Sequence, residues 1–239
     1  MAVSTKIIRD VSKAFEKIKK EERWAVADAL TEVGKEAVAA LEQEVQRIFD
    51  RPTRFVVKAF YSTRANERTL KIKVGIKDFA GKSKNTGITI LTPHIEGGGR
   101  SVKRMEFWLR EKGMLAHNEY VVPGMGIKLN KNGNISGSQI TKILSGVKAF
   151  GEIGFKMNVT AESKKRKKNP EEYFVIKSGI NSHLHPGIYQ RKSTTIKPLL
   201  MFVKAPVYKQ IFKFEKIITD IYNRRFPIEV REQIARRIK

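Results

Sequence analysis

Apolar residues recur at three- and four-residue spacing through the first fifty positions, which is typical of an amphipathic helix. The set comprises Ile7, Ile8, Val11, Ala14, Phe15, Ile18, Val26, Leu30, Val33, Ala37, Val38, Leu41, Val45 and Ile48. Charged residues of both signs occupy the opposite face, as on a solvated helix surface. The pattern predicts helix over residues 4–49, ended by Pro52. A break near residues 20–22 leaves open whether this is one helix or two.

Two runs after Pro52 have the character of β-strands. Residues 55–61 are rich in aromatic and β-branched side chains, and residues 70–77 alternate between apolar positions and lysine. The polar segment between them predicts a hairpin. Its lysine face is either a docking surface for an acidic partner or the solvated side of an antiparallel sheet, and we favour the second interpretation.

Short helices, strands and turn-rich loops alternate over the rest of the chain. A loop rich in glycine and lysine covers residues 78–100, with a short strand at Ile88–Leu91. Ser101 is the expected N-cap of a helix that closes at Lys112 and Gly113. The later elements are expected in this order: turns over 118–137, helix over 138–146, a basic loop over 158–170, buried strands at 173–176 and 199–203, and an amphipathic helix over 211–239 that is bent or interrupted at Pro227.

This order of elements predicts an α+β fold. It has a long N-terminal helix, a mostly antiparallel β-sheet with short helices, and a C-terminal amphipathic helix. We expect residues 1–50 to form a helical segment and residues 51–239 a basic α+β domain, the two joined in one folded unit. The chain has 239 residues and is 41% hydrophobic, which is enough to bury a core.

The charge distribution restricts the partners. The chain has 48 basic and 24 acidic side chains, a net charge of +24. Residues 1–50 have 9 basic and 10 acidic side chains, whereas residues 51–239 have 39 and 14, a net charge of +25. Such a surface attracts polyanions, which include nucleic acid, an acidic protein face and a membrane surface. Charge alone does not choose among them.

Residue types that are missing exclude several other classes. There is no cysteine, so disulfides, thiolate metal sites and cysteine nucleophiles are excluded. No apolar run approaches the ~18–20 residues that cross a bilayer, and the N-terminus lacks the apolar stretch of a secretory signal. We therefore expect synthesis in the cytoplasm and no membrane partner.

The candidates for catalysis are weak. His183 and His185 are close in sequence, but no third ligand of the usual type is near. His94 and Glu96 form the His-x-Glu fragment of zinc deaminases, whose two cysteines this chain lacks. The glycines at 97–99 precede a helix as in a phosphate cradle, yet they match neither nucleotide-binding spacing, so a flexible joint is the better interpretation. We expect no enzymatic activity, no metal and no cofactor.

The densest basic run is a candidate surface for a partner or for DNA. It consists of Lys164, Lys165, Arg166, Lys167 and Lys168. Such a run favours contact with nucleic acid, and it is equally typical of a solvated loop. Binding of single strands would also need exposed aromatic residues among the charges. Tyr173 and Phe174 follow closely, but they lie in a predicted core strand.

Several stretches between residues 50 and 230, taken in order, resemble a family of phage and prophage proteins described as minor tail or tail-completion proteins. The stretches are Asp50–Thr53; Glu96–Arg100 with Lys103, Arg104, Glu106, Leu109 and Gly113–Leu115; Tyr120–Gly124 with Leu129, Gly133–Ser136 and the helix from Gln139 to Ser145; Tyr173–Ile176 with Pro186–Arg191; and Lys197–Val203 with Pro206, Tyr208, Phe212, Phe226 and Pro227. The loop at 78–87 departs from the pattern by being unusually rich in lysine and glycine.

The resemblance implies a structural virion protein at the phage tail or head–tail junction that acts through protein contacts without catalysis. Its partners would be other tail or neck proteins and copies of the chain in a ring, with contact to packaged DNA as a further expectation. The candidate assembly motifs are Gly97, Gly98, Gly99, Arg100, Lys103 and Arg104, and then Pro186, Gly187, Tyr189, Gln190 and Arg191. The alternative hypothesis is a basic nucleic-acid-binding protein, and a metal-dependent nuclease is a more distant third.

Overall fold

A computed structural model describes residues 2–78, 86–150 and 171–237, together with Thr160 and Glu162. The described side chains begin at Lys19. The chain divides into two compact units: unit 1 comprises Met1–Gly97 and Lys209–Lys239, and unit 2 comprises Gly98–Tyr208. These bounds do not follow the predicted boundary at residue 50, because the N-terminal helix belongs to the same unit as the C-terminal helix.

Unit 1 is organised around two long helices. Helix α1 (Ala2–Ile48) runs without interruption, so the question of one helix or two is resolved in favour of one. Helix α6 (Phe214–Arg237) also runs through Pro227 without a break, so of the predicted bend or interruption there, the interruption is wrong and the bend stays a prediction. The two helices pack antiparallel. Arg225 of α6 pairs with Glu36 of α1, whereas Arg237, which lies further along α6, pairs with Glu21, which lies earlier in α1. Among the described side chains of α1, the apolar stripe is buried as its spacing predicted, for example at Val33, Leu41 and Val45.

Two short helices and a small β-hairpin are the other described elements of unit 1. They are helix α2 (Arg54–Val57), the antiparallel strands β1 (Phe60–Ser62) and β2 (Val74–Ile76), and helix α3 (Gly87–Glu96). The strand predicted over 55–61 is wrong in its first half, because the Thr53 side chain accepts a hydrogen bond from the Val56 N–H and starts a helical turn. The lysines at 71, 73 and 77 are exposed, as the alternation predicted.

The strand predicted at Ile88–Leu91 is also wrong, since these residues lie in α3. The Thr86 hydroxyl caps this helix by accepting from the Thr89 N–H at 3.3 Å. A short apolar run does not by itself distinguish a strand from a buried helix, and here Leu91 is fully buried as part of the helix.

Within the described residues, the named elements of unit 2 are a four-stranded antiparallel sheet and two short helices. The helices are α4 (Arg104–Glu111) and α5 (Gly137–Gly146), and the strands are β3 (Glu119–Pro123), β4 (Glu172–Ile176), β5 (Gly187–Lys192) and β6 (Thr195–Lys204). The strand order is β3-β6-β5-β4, which places β3 and β4 at the two edges. The predicted strands at 173–176 and 199–203 and the helix at 138–146 are confirmed. Helix α4 begins at Arg104, so the predicted cap at Ser101 is wrong.

The core of unit 2 lies between one face of the sheet and helices α4 and α5. Leu109, Ile143, Ile188, Leu200 and Phe202 are among its buried members. Together the two units confirm the predicted α+β class, with long terminal helices and antiparallel sheets. Within the described residues, no helix combines the length and apolar character needed to cross a membrane.

Candidate assembly surfaces

The first candidate motif, at residues 97–104, joins the two ends of unit 2. The Gly98 N–H donates to the Tyr208 carbonyl at 3.0 Å, and the Tyr208 N–H donates to the Gly98 carbonyl at 2.7 Å. Gly98 has φ of +88°, a conformation that favours glycine. The predicted flexible joint is therefore a defined bridge that fastens the first and last residues of the unit to each other.

Arg100, two residues later, binds a buried carboxylate. Its two terminal nitrogens donate to Glu106 at 2.9 and 2.5 Å. The same carboxylate accepts from the Lys103 N–H at 2.7 Å and from the Val121 N–H at 2.9 Å. Four donors thus satisfy a side chain that is 0% exposed, as a buried charge requires.

This arrangement sets the charge state of Glu106. Burial by itself would raise the pKa of the carboxyl, but the Arg100 guanidinium and the N–H groups of Val121 and Lys103 outweigh it and hold the pKa below its usual range. Arg100 has a raised pKa, because its bonds to Glu106 and Tyr208 outweigh the opposing effect of burial. Both groups therefore stay charged, and the pair is a fixed structural element.

Helix α4 also covers the outer edge of strand β3. The Glu106 carboxylate accepts a hydrogen bond from the Val121 N–H, and the Arg110 guanidinium donates to the Glu119 carbonyl at 2.7 Å. Both backbone groups belong to an edge strand, where unpaired N–H and C=O groups would otherwise attract another strand. Tyr120 lies near both arginines, with its ring centre 4.7 Å from Arg100 and 5.1 Å from Arg110. The β3 edge is thus closed by the chain's own side chains.

Two basic side chains of the first motif are exposed to solvent. Lys103 and Arg104 are exposed at the start of α4, whereas Arg100 is committed to Glu106. The motif therefore divides into a structural part, formed by Gly98 and Arg100, and an exposed basic part that a partner can reach.

The second candidate motif, at residues 186–191, lies along strand β5, an inner strand of the sheet. Tyr189 is buried, stacks on Phe174 of β4 with ring centres 5.6 Å apart, and donates its hydroxyl to the His185 carbonyl at 2.7 Å. Gly187 is required there, because a Cβ would collide with the Leu200 carbonyl oxygen. Pro186 accepts the Phe202 N–H at 3.0 Å through its carbonyl.

Arg191 and Gln190 extend this motif toward the edge strand β4. The Arg191 guanidinium lies 5.2 Å from the centre of the Phe174 ring and 3.6 Å from the Glu172 carboxylate. The Gln190 amide lies 3.4 Å from the Tyr173 hydroxyl. An arginine over an aromatic ring, partly exposed beside an edge strand, has the composition that protein interfaces favour.

The two motifs do not form one site. The first lies at the β3 edge and the second lies on strand β5, so strand β6 separates them. At ~4.8 Å between neighbouring strands, β3 and β5 are about 10 Å apart. The basic run Lys164–Lys168 lies outside the described residues.

The other sequence candidates do not gather into a catalytic site. Among the residues that the structure describes, no group of three or more His, Asp or Glu side chains could hold a metal ion. His94 packs edge-on against Phe49 with ring centres 4.8 Å apart, and burial lowers its pKa. His183 and His185 are exposed. The absence of enzymatic activity stays a prediction.

Glu106 is one of the residues in the family resemblance, but the sequence analysis predicted no structural role for it. The available signal was its position three residues into a helix between the apolar Met105 and Leu109, where an acidic residue can accept from the N-cap N–H. Its further partner, the Val121 N–H, is fifteen residues away and could not be foreseen.

Comparisons of the chain with protein-family models, with curated proteins and with solved structures give no match.

Proposed function

We propose that the chain is a structural virion protein of a bacteriophage tail or head–tail junction, acting through protein–protein contacts. Two arguments support this proposal. The ordered resemblance between residues 50 and 230 suggests the class. The observation that carries the proposal is the asymmetry of the sheet in unit 2, which has one edge closed by α4 and the other edge bordered by Arg191, Phe174 and Tyr189.

An assembly protein needs a folded body that does not aggregate and a limited surface that accepts neighbours. The β3 edge serves the first need, because two of its outward backbone groups, the Val121 N–H and the Glu119 carbonyl, are already bonded. The β4 side serves the second, since it offers aromatic rings and an exposed arginine. Such residues account for much of the binding energy at protein interfaces.

The test is to locate the protein in purified virions of the phage that encodes it. Mass spectrometry of the particles and immunogold microscopy should find it, with label concentrated at the neck or tail. If intact particles lack the protein while infected-cell extract contains it, the structural role is refuted. The mass spectrum is needed because a buried epitope would give the same negative microscopy.

The alternative function is nucleic-acid binding, and charge is the observation that favours it. Unit 2 has 20 basic and 7 acidic side chains over residues 98–208. Exposed cations on its strands include Lys192, Lys197 and Lys204. Binding through six to ten phosphate contacts would weaken about 10³- to 10⁵-fold between 50 and 200 mM salt. Fluorescence anisotropy of labelled duplex DNA at the two salt concentrations tests this alternative.

A further inference from the structure

Among the described residues, strand β4 is an edge of the unit 2 sheet with no strand paired on its outer side. It pairs only with β5, and among the described residues no hydrogen bond joins its outer backbone groups to another segment. Its sequence is Glu-Tyr-Phe-Val-Ile, which is rich in the aromatic and β-branched residues that favour strands. The opposite edge differs, since Glu106 bonds the Val121 N–H of β3 and Arg110 bonds the Glu119 carbonyl. The contrast points to β4 as the edge that receives another strand.

The residues at the two ends of β4 indicate what that strand is. Glu171 precedes the strand and Lys177 follows it, and both lie three residues from Phe174. Suppose that β4 pairs antiparallel with a copy of itself and that the two-fold axis passes at Phe174. The N-terminal end of each strand then lies opposite the C-terminal end of its partner. Glu171 then lies across from the partner's Lys177, and the two-fold symmetry repeats this pair at the other end.

We propose that β4 pairs with β4 of a second copy of this chain, antiparallel and with Phe174 opposite the partner's Phe174. The pairing joins two four-stranded sheets into one sheet of eight strands. It places two oppositely charged pairs at its ends and an aromatic pair at its centre, each of which stabilises neighbouring strands.

The orientation of the side chains agrees with this register. Tyr173 and Val175 pack on the core of unit 2, whereas Phe174 stacks on Tyr189 on the other face. Directly opposed residues in an antiparallel pair point to the same face. Tyr173 would lie opposite the partner's Val175, so the core-facing residues of both copies stay on one side of the joined sheet.

Neighbouring registers that keep the faces matched are less favourable. A pairing centred on Tyr173 places Glu171 opposite the partner's Val175 and loses the charge pairs. A pairing centred on Val175 places Tyr173 opposite Lys177 and loses the charge pairs. The register about Phe174 is the one that uses all five residues of β4 and both charged neighbours.

Glu171 has the capacity for this additional contact. Its carboxylate already pairs with Lys142 and accepts the Tyr173 hydroxyl at 3.0 Å. A carboxylate offers about four lone-pair sites, so a further ammonium can share it. These existing contacts also hold Glu171 beside the end of β4, which reduces the side-chain entropy lost on pairing.

Introduced thiols test the register directly, because the natural chain has no cysteine. In the proposed dimer, Phe174→Cys places one thiol of each copy directly opposite the other across the two-fold axis. The two Cα atoms are then about 4.5–5.5 Å apart, within disulfide range. Ile176→Cys is the matched control, since it lies on the same face but is offset from its copy by four residues, about 13 Å. Under mild oxidation we expect a covalent dimer from F174C and none from I176C.

Charge reversal provides a second test in the purified full chain. In sedimentation velocity over a concentration series, the unmodified protein should show a reversible dimer. Lys177→Glu places like charges across both ends, and we expect dimerisation about tenfold weaker or more. Adding Glu171→Lys should restore it, while Lys128→Glu, an exposed lysine away from β4, should leave it unchanged. Circular dichroism of each variant verifies folding.

The proposal is overturned if the chain is monomeric at all concentrations and F174C gives no disulfide. It is equally overturned if I176C cross-links as well as F174C does, or if self-association is unaffected by K177E. The inference adds a self-association surface to the proposed assembly role, and it is tested in solution. Its failure would therefore leave the location in the virion undecided, whereas absence from the virion would leave the dimer in place.

Discussion

The fully buried carboxylate of Glu106 accepts hydrogen bonds from both terminal nitrogens of Arg100, at 2.9 and 2.5 Å. The bond connects the first residues of unit 2 with helix α4, and the same carboxylate holds the edge strand β3 through the Val121 N–H. One acidic side chain therefore fixes three segments of the unit. Its removal affects the fold of unit 2 more than any exposed charge can.

Substitution of Glu106 by glutamine should lower the free energy of unfolding of unit 2 by about 3–5 kcal/mol, because Arg100 loses its counter-charge while remaining partly buried. The two tryptophans allow the measurement, since Trp24 lies in unit 1 and Trp108 in unit 2. Urea unfolding followed by Trp108 fluorescence in a Trp24→Phe background reports unit 2 alone. The control is Glu111→Gln on the same helix, an exposed residue that should change the free energy by less than about 0.5 kcal/mol. Equal effects of both variants would contradict the role assigned to Glu106.

The same pair predicts how the stability of unit 2 depends on pH. The folded-state pKa of Glu106 lies below the ordinary carboxyl value, so folding favours the ionised form. The stabilisation is fully present above the unfolded pKa of about 4.3 and is lost as pH falls through the lower folded pKa. Urea unfolding between pH 7 and pH 3, followed by Trp108, should show this loss. In the E106Q variant the acid dependence should be shallower, and an unchanged slope would refute the assignment.

Gly187 provides a packing test inside the sheet. A Cβ at this position would collide with the Leu200 carbonyl oxygen and would lie 3.3 Å from Cα of Met201, both on the neighbouring strand β6. Gly187→Ala should therefore cost unit 2 about 1–3 kcal/mol. The control is Gly137→Ala in the first turn of α5, where nothing lies within 4 Å of the added Cβ and alanine favours helix by up to about 1 kcal/mol. The two alanine variants should shift the urea midpoint in opposite directions.

The elements that the sequence predicted best are those whose pattern is long or whose ends are marked. Helix α1 has an apolar stripe over many turns, and α5 has the cap at Ser136, whose hydroxyl accepts from the Gln139 N–H at 3.3 Å. The two wrong strand assignments, at residues 55–57 and 88–91, are short apolar runs in which a threonine side chain caps a helix. A short apolar run is compatible with either a strand or a helix, and at both places the threonine cap favours the helix.

The candidate surfaces were predictable only in part. The motifs at 97–104 and 186–191 contain residues with defined structural tasks, but the sequence could not show that the first borders the edge strand β3 while the second lies on the inner strand β5 of the same sheet. That separation depends on the strand order β3-β6-β5-β4, in which the last strand along the chain lies between the first and the third. Non-local order of this kind is set by the packing of the whole unit.

Phe212 gives the corresponding test for unit 1. Its side chain is fully buried, with ring centres 5.8 Å from Phe60 and 6.2 Å from Phe214, and its N–H donates to the His94 carbonyl at 2.9 Å. Phe212→Ala removes the ring from a core shared by α1, the hairpin and the start of α6, and should cost about 3–5 kcal/mol. The reporter is Trp24 fluorescence during urea unfolding in a Trp108→Phe background.

The matched control for Phe212 is Phe55, a phenylalanine of the same unit that is 47% exposed. Because much of its ring already contacts water, Phe55→Ala removes less buried apolar area and should cost under about 1 kcal/mol. The second control follows Trp108 fluorescence in a Trp24→Phe background. The loss of Phe212 should shift the urea midpoint reported by Trp24 more than the urea midpoint reported by Trp108. Equal shifts at both tryptophans would mean that the two units unfold as one, and the division at residues 97 and 208 would then have no counterpart in stability.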